Sequence, residues 1–97
     1  MRYREEFLST AFQDIHEIEE YLSQFYPSTP LKFFKELDKK IILLRHMPHI
    51  GQKYKDFRRL VCGDYLIFYK VIEDDQKVVI YRILHGSRNI DDFLINS

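Results

Sequence analysis

The 97 residues include one cysteine, three glycines, three prolines and no tryptophan. A single thiol, Cys62, excludes an internal disulfide, which is typical of proteins from a reducing compartment. No run approaches the roughly 20 consecutive apolar residues that a membrane-spanning helix needs. The N-terminal residues MRYREE also lack the apolar stretch of a secretory signal. We therefore predict a cytoplasmic protein that makes no membrane contact.

Metal-binding and cofactor-binding motifs are missing as well. The four histidines are dispersed, and His46 and His49 have no cysteine or acidic partner nearby, so we expect no metal site. No glycine-rich loop for phosphate is present, and no cofactor is expected. Cys62 lies inside an apolar segment, which predicts a core position and not a nucleophile.

Composition and charge describe one small globular domain over residues 1–97. Seven Tyr and eight Phe within a 45% hydrophobic chain are enough for a core. The net charge is zero, but the charges are unevenly spread. Residues 1–26 carry two Arg against six acids, and residues 27–59 carry nine Lys and Arg against three acids. The basic middle segment predicts either a solvated helix surface or a contact with an anionic partner.

The N-terminal half has the pattern of a short strand followed by two helices. Residues 3–8 are the candidate strand, and Ser9 or Thr10 is the expected cap of the first helix. Ser28 or Thr29 has the same role before the second helix. The apolar stripes are Ala11, Ile15, Ile18, Leu22 and Phe25, and then Phe34, Leu37, Ile41 and Leu44. We expect three acids of the first helix to face water, namely Asp14, Glu17 and Glu20.

The C-terminal half changes to a period of two. Strands are predicted over 57–62, 64–72 and 77–85, after a polar connection over 52–56. Both faces of the central strand are apolar, so both should be covered, one by the helices and one by the C-terminal segment or a partner. Phe93 and Leu94 are expected to dock from a last helical turn over 89–94. The predicted fold class is α+β, with an antiparallel helical hairpin packed on a small, mainly antiparallel sheet.

The sequence order of the strands resembles a known family. Arg58-Arg59-Leu60-Val61 is followed by Tyr65-Leu66-Ile67-Phe68-Tyr69 and by a strand that ends in His85-Gly86-Ser87-Arg88. This order resembles the sheet of the RelE/ParE superfamily of bacterial type II toxin–antitoxin toxins, and the ParE-like, plasmid-stabilisation members most closely. The resemblance extends over nearly the whole chain and implies the RelE/ParE toxin fold.

Three functions follow from this resemblance. A ParE-like toxin would cause growth arrest by binding and inhibiting DNA gyrase without turnover, and a small DNA-binding antitoxin would neutralise it in a hetero-oligomer. A RelE-like toxin would be an endonuclease that cuts mRNA on the ribosome, with Arg59, Arg82 and His85 as catalytic candidates. The third is an inactive relic that only binds antitoxin. The C-terminal tail lacks the tyrosine that RNase members often carry there, so we lean toward a protein that is not an enzyme.

The predicted contacts to the target or partner are Arg58, Arg82, His85, Arg88 and Phe93. Arg58 and Arg59 point to opposite faces of their strand, so one guanidinium must lie near the packed side. A carboxylate such as that of Asp14, Glu17 or Asp64 is its expected partner, because an unpaired buried charge is costly. We also expect His85 to lie on the sheet side opposite Arg82 and to share its side with Tyr81. His85 and Arg88 remain open to structural roles.

Overall fold

The computed structural model describes residues 2–94 of the chain. They form three helices and one five-stranded sheet, which confirms the predicted α+β class. The elements in chain order are β1 Arg4–Phe7, α1 Ser9–Leu22, α2 Ser28–His46, β2 Gln52–Tyr54, β3 Phe57–Cys62, β4 Tyr65–Ile72, β5 Lys77–His85 and α3 Ile90–Leu94.

The strands lie in the order β1–β5–β4–β3–β2. β2 to β5 follow one another through short turns, and each neighbouring pair among them is antiparallel. β1 pairs with β5 in parallel, because the helical hairpin carries the chain away before the sheet returns beside it. The sheet is therefore mainly antiparallel, as predicted.

The polar connection predicted over 52–56 is wrong in its first three residues. Gln52–Tyr54 forms β2, which pairs antiparallel with β3 at the edge of the sheet. Lys55, with a φ of 54°, begins the two-residue turn between them. A three-residue polar edge strand is too short to show a period of two, which is why the pattern missed it.

The helical hairpin packs on one face of the sheet, called the helix face. Apolar stripes of both helices meet alternate side chains of β3, β4 and β5, and the predicted core position of Cys62 is confirmed. Burying each large apolar side chain stabilises the fold by about 1.5–3 kcal/mol. The buried residues are Ala11, Ile18, Phe33, Leu37, Ile41, Leu44, Cys62, Tyr65, Ile67, Tyr69, Val78, Ile80 and Ile83.

The opposite face, called the α3 face, has a second, smaller core. Phe68 and Leu84 are buried there beneath Leu94 of α3, and Phe93 packs beside them. The sequence left either the C-terminal segment or a partner to cover this face, and in the described residues the C-terminal segment packs on it. This short helix therefore brings the C-terminal residues of the described chain against the sheet.

The side-chain caps predicted for α1 and α2 are wrong. The helices begin at Ser9 and Ser28, after Leu8 and Pro27, and neither start has a side-chain cap hydrogen bond. Thr10 instead donates its hydroxyl hydrogen to a backbone oxygen of β5, 3.0 Å away. The hydroxyl thus joins α1 to the sheet and does not close the helix end.

A β-bulge in β5 reverses the side of Tyr81. Phe68 pairs with Arg82, but the next residue of β4 pairs with Ile80, so Tyr81 lies between two registers. Its ring lies 5.2 Å from an aromatic ring of β3 that belongs to the α3 face. The prediction that Tyr81 shares a side with His85 is therefore wrong, because simple alternation fails at a bulge.

Candidate functional site

The structure brings three of the five predicted contact residues together beside α3. The guanidinium carbons of Arg82 and Arg88 lie 5.5 and 4.9 Å from the ring centroid of Phe93, in cation–π contact. The side chain of Arg82 is only 15% exposed, whereas Arg88 is exposed. Of these two arginines, Arg88 is the one that a partner can reach directly.

Asp14 of α1 is buried, so the prediction that it faces water is wrong. Its side chain is 6% exposed, and its two oxygens accept hydrogen bonds of 2.8 Å from Nε and Nη2 of Arg82. Oδ2 also accepts the backbone N–H of Ile83 at 2.9 Å. This edge of β5 lies beyond the last residue paired with β1. The carboxylate therefore satisfies an unpaired strand edge and neutralises a half-buried arginine.

The ion pair also anchors the C-terminal helix. Nη1 of Arg82 donates to the backbone oxygen of Phe93 at 3.2 Å. The hydrogen bond with Asp14 raises the pKa of Arg82, against the effect of burial, so the guanidinium stays charged. One arginine thus links α1, β5 and α3.

Sequence spacing contained a signal for this role of Asp14. Ala11, Asp14, Ile15 and Ile18 are separated by three, one and three residues, which places all four on one helix face. An acid on an apolar stripe indicates a buried partner. The strand position of Arg82 next to a packed helix then supplies the partner.

His85 ends β5 with its ring held in one orientation. Its Nδ1 lies 3.1 Å from the backbone nitrogen of Ser87, which donates to it, and 2.7 Å from that residue's hydroxyl oxygen. Because a backbone N–H can only donate, Nδ1 accepts and the proton of the neutral ring lies on Nε2. The ring also packs edge-on against Tyr65 at 5.4 Å.

A cleft of about 320 Å³ lies between α1 and the end of β5. It combines two predicted contact residues, His85 and Arg88, with residues that the sequence did not assign to a contact site. The lining is Asp14, Glu17, Ile18, Tyr21, Tyr65, Leu84, His85, Ser87 and Arg88. Burial raises the pKa of Tyr65 on the cleft floor, so its hydroxyl is neutral at pH 7. The cleft has an apolar floor and rims of both charges, which suits a protein segment.

Arg58 and Arg59 lie away from this cleft. The prediction that one of them pairs with a carboxylate is wrong, because both donate to neutral oxygens. Arg58, on the helix face, donates to the backbone oxygens of Gly51 at 2.8 Å and His49 at 3.2 Å. Arg59 donates to the side-chain oxygen of Gln52 at 3.2 Å. The loop before β2 bends toward Arg58 and presents carbonyls, so no carboxylate is needed there.

The three candidates for RNA cleavage are divided between the two faces. Arg59 and Arg82 each pair with Phe68, one from β3 and one from β5, so they share a row on the α3 face. His85 pairs with Tyr65, whose side chain belongs to the helix-face core. The prediction that His85 and Arg82 lie on opposite sides agrees with this pairing.

A second contact fixes α3 at its N-terminal end. The hydroxyl of Tyr54 donates to Oδ1 of Asp91 at 2.6 Å, and Nζ of Lys55 lies 2.9 Å from the same oxygen. The Tyr54 hydrogen bond and then the Lys55 contact hold the pKa of Asp91 below its usual value. The β2–β3 turn therefore carries part of the α3 attachment.

Residues 2–94 contain neither a metal-binding cluster nor a membrane-spanning helix. Within residues 2–94, no three His, Cys, Asp or Glu side chains are grouped so that they could hold a metal ion. In the same range, no helix combines the length and apolar character needed to cross a membrane.

The fold is shared with solved toxin structures. A chain of the chromosomal ParDE system from P. aeruginosa superposes with a TM-score of 0.71 at 15% identity, covering 87% of this chain and 96% of that one. The free E. coli RelE toxin, in a mutant form, gives 0.64 at 17% identity, with 93% and 90% covered. A chain of the RelBE2 toxin–antitoxin complex from Mycobacterium tuberculosis gives 0.62 at 20% identity, with 88% and 99% covered. The fold is thus that of RelE/ParE toxins.

Sequence similarity identifies the family more narrowly. Residues 6–90 match the model of the ParE toxin of the type II toxin–antitoxin system parDE, and the chain belongs to this family. No curated protein matches the sequence significantly. The family match extends from β1 to the first residue of α3, so it includes the α1–β5 cleft. The protein is therefore the toxin of a type II toxin–antitoxin system.

Proposed function

We propose that this toxin inhibits DNA gyrase in the cytoplasm by binding it, and that a cognate antitoxin neutralises it in a hetero-oligomer, as in plasmid-stabilisation systems. Support comes from the ParE family match and from the matched ParDE and RelBE structures, which are toxin–antitoxin systems. The mechanism is a protein–protein contact that traps the cleaved DNA complex. No chemical step by this chain is required.

The α1–β5 cleft is the proposed gyrase contact, and the single observation that carries it is the exposed Arg88 beside His85. The ring of Phe93 supports the Arg88 guanidinium, and Ser87 fixes the His85 ring with Nε2–H as its free donor. Arginines and histidines held in place lose little side-chain entropy on binding, so they suit a binding surface.

The division of the catalytic candidates favours binding over turnover. A general acid must reach the atom that it protonates, at roughly 2.6–3.2 Å or through one water. Arg59 and Arg82 lie on the α3 face, whereas His85 lies on the helix face beside Tyr65. Arg82 is also engaged by Asp14. A phosphate on the α3 face would meet two arginines but not this imidazole.

The test is a DNA cleavage assay with purified, antitoxin-free toxin, gyrase, supercoiled plasmid and ATP. We expect linear DNA to accumulate with toxin concentration after protein denaturation releases the trapped breaks. Arg88→Ala should lower the linear yield about tenfold, as for a central interface arginine. Arg4→Ala removes another exposed arginine far from the cleft and should leave the yield unchanged. Undamaged plasmid at every wild-type concentration would contradict the proposal.

The second candidate is a ribosome-dependent mRNA endonuclease. The row Arg59–Phe68–Arg82 favours it, because two cations on one face could stabilise charge on a phosphate. The assay is primer extension on mRNA bound to ribosomes. Cleavage that disappears in Arg59→Ala, while the thermal unfolding midpoint is unchanged, would support this candidate over gyrase.

An inactive relic is distinguished by growth. Induced expression of the folded wild-type toxin in bacteria should stop growth, and co-expression of the antitoxin should restore it. Normal growth with folded toxin present would indicate a protein whose remaining role is to bind the antitoxin.

A further inference from the structure

The turn between α1 and α2 carries a group of exposed apolar side chains, called the hairpin tip and made of Tyr21, Phe25, Tyr26 and Leu31. Their exposed fractions are 53%, 56%, 73% and 55%. Of the nine large apolar side chains that are exposed within residues 2–94, these four all lie between positions 21 and 31. Apolar side chains scattered singly on a surface are ordinary, whereas a group of this kind indicates a binding surface.

The hairpin tip is held in a fixed shape. The backbone N–H of Phe25 donates to the oxygen of Leu22 at 3.1 Å, and the N–H of Thr29 donates to the oxygen of Tyr26 at 2.9 Å. The rings of Tyr21 and Phe25 pack edge to face, with centroids 5.3 Å apart. Because the turn is already ordered, a partner that packs against these rings costs little further ordering of the chain.

The charges beside the hairpin tip are divided between the two helices. Residues 16–24 contain three acids and no Lys or Arg, whereas residues 28–35 contain two lysines and no acid. Among the acids, Glu20 contacts Nε2 of His16 at 2.8 Å, and Glu17 lies within electrostatic reach of Arg82. Three exposed side chains form no ion pair within residues 2–94, namely Glu19, Lys32 and Lys35.

A second copy of this chain matches both the rings and the charges. Across a two-fold axis, the acidic end of α1 in one copy would lie against the basic start of α2 in the other, and the same contact would occur twice. The apolar rings of the two copies would meet between these charged sides. Three acids against two lysines are close to balance, so little like-charge repulsion opposes the association. An unrelated partner would need both signs of charge in matching places, which a second copy has by symmetry.

We propose that the free toxin forms a two-fold dimer through the hairpin tip, with Tyr26 near the axis. Four apolar side chains and their flanking charges are far fewer than the roughly 20–30 residues on each side of a standard interface. We therefore expect a reversible dimer with a dissociation constant in the micromolar range. This inference does not depend on whether gyrase is the target.

Sedimentation equilibrium of the purified, antitoxin-free toxin across the micromolar range measures this association. Tyr26→Ser removes the most exposed ring of the tip and should raise the dimer dissociation constant about tenfold. Met47→Ser is the matched control, because Met47 is 52% exposed but lies at the opposite end of α2. The control should dimerise within about twofold of the wild type.

An exchange of charges tests whether the partner is a second copy. Glu19→Lys/Glu20→Lys makes the tip mainly positive, and Lys32→Glu/Lys35→Glu makes it wholly negative. Each variant alone should stay monomeric, because like charges would meet across the axis. An equimolar mixture of the two should dimerise, because opposite charges meet again on both sides, and added salt should weaken this mixed dimer. Circular dichroism melts show whether each variant is folded.

The outcomes decide the inference without reference to gyrase. A wild-type toxin that stays monomeric at every concentration would overturn it. A dimer that persists unchanged in folded Tyr26→Ser would also overturn it, since another surface would then form the contact. Folded charge variants that stay monomeric in the mixture would contradict the pairing of α1 with α2 across the axis. Gyrase inhibition is tested separately by the plasmid cleavage assay.

Discussion

Replacing Asp14 by asparagine is expected to be among the most destabilising conservative changes in the chain. The change keeps the size of the side chain but removes its charge. It would leave the half-buried Arg82 guanidinium without its counter-charge. The amide can keep one acceptor for three donors, namely Nε and Nη2 of Arg82 and the N–H of Ile83.

The magnitude follows from this loss. Removing one partner of a buried pair costs about 3–5 kcal/mol, and the retained acceptor places the expected loss near 3 kcal/mol. In a domain of this size, 1 kcal/mol lowers the unfolding midpoint by about 4–8 °C. Asp14→Asn should therefore melt roughly 12–24 °C below the wild type.

Urea unfolding at pH 7, followed by circular dichroism, measures this free energy. Glu17→Gln is the matched control, because Glu17 is an exposed acid on the same helix and should change stability by less than about 0.5 kcal/mol. The double variant Asp14→Leu/Arg82→Met should recover much of the loss, since apolar residues can replace a buried pair. A cost for Asp14→Asn below about 1 kcal/mol would refute the argument.

The same pair affects how toxicity data are read. Arg82→Ala leaves Asp14 buried and uncompensated, so it is expected to lose stability whatever the toxin's target. Loss of toxicity in that variant is therefore not evidence for catalysis by Arg82. Arg88→Ala and Arg59→Ala are cleaner tests of function, because neither arginine carries a buried ion pair in the structure.

Three other predictions concern packing, thiol chemistry and pH. Gly51→Ala should lower the free energy of unfolding in urea by about 1–3 kcal/mol, because a Cβ there would lie 2.5 Å from the Tyr69 hydroxyl. Gly86→Ala, at an exposed glycine, is the control, and an equal loss in both variants would contradict this prediction. Burial raises the pKa of the Cys62 thiol to about 11, so an aromatic disulfide reagent at pH 8 should modify it only after the protein unfolds. Rapid modification of the native protein would disprove this prediction. Asp91 has a folded-state pKa lowered by Tyr54 and Lys55, so its stabilising contact is complete above pH 3.8 and is lost as pH falls through that lowered pKa. The Asp91 carboxyl carbon, followed by NMR, should titrate below pH 3.8, and a midpoint at or above 3.8 would refute the contact.

Much of the fold was predictable because long periodic segments decide it. The strand over 77–85 was predicted with its observed limits, and the apolar residues on both faces of β4 indicated that both faces are covered. The short β2 and the bulge at Tyr81 were not predictable. Each depends on pairing with a neighbouring strand, which leaves no local pattern in the sequence.

The candidate site was predictable only in part. His85, Arg88 and Phe93 stand close together near the C-terminus, so their grouping was accessible from the sequence. Asp14 and Tyr21 reach the cleft from a helix, at positions 64 to 74 residues before His85 and Arg88. Only the packing of α1 against the end of β5 brings them there, and a one-sequence pattern cannot supply that packing.

The most direct test of gyrase inhibition is one preparation of antitoxin-free toxin divided between two reactions. One contains gyrase, supercoiled plasmid and ATP; the other contains ribosomes programmed with mRNA. We expect linear plasmid in the first reaction, reduced by Arg88→Ala, and intact mRNA in the second. Cleaved mRNA beside intact plasmid would contradict it and move the functional site from the α1–β5 cleft to the α3 face with Arg59.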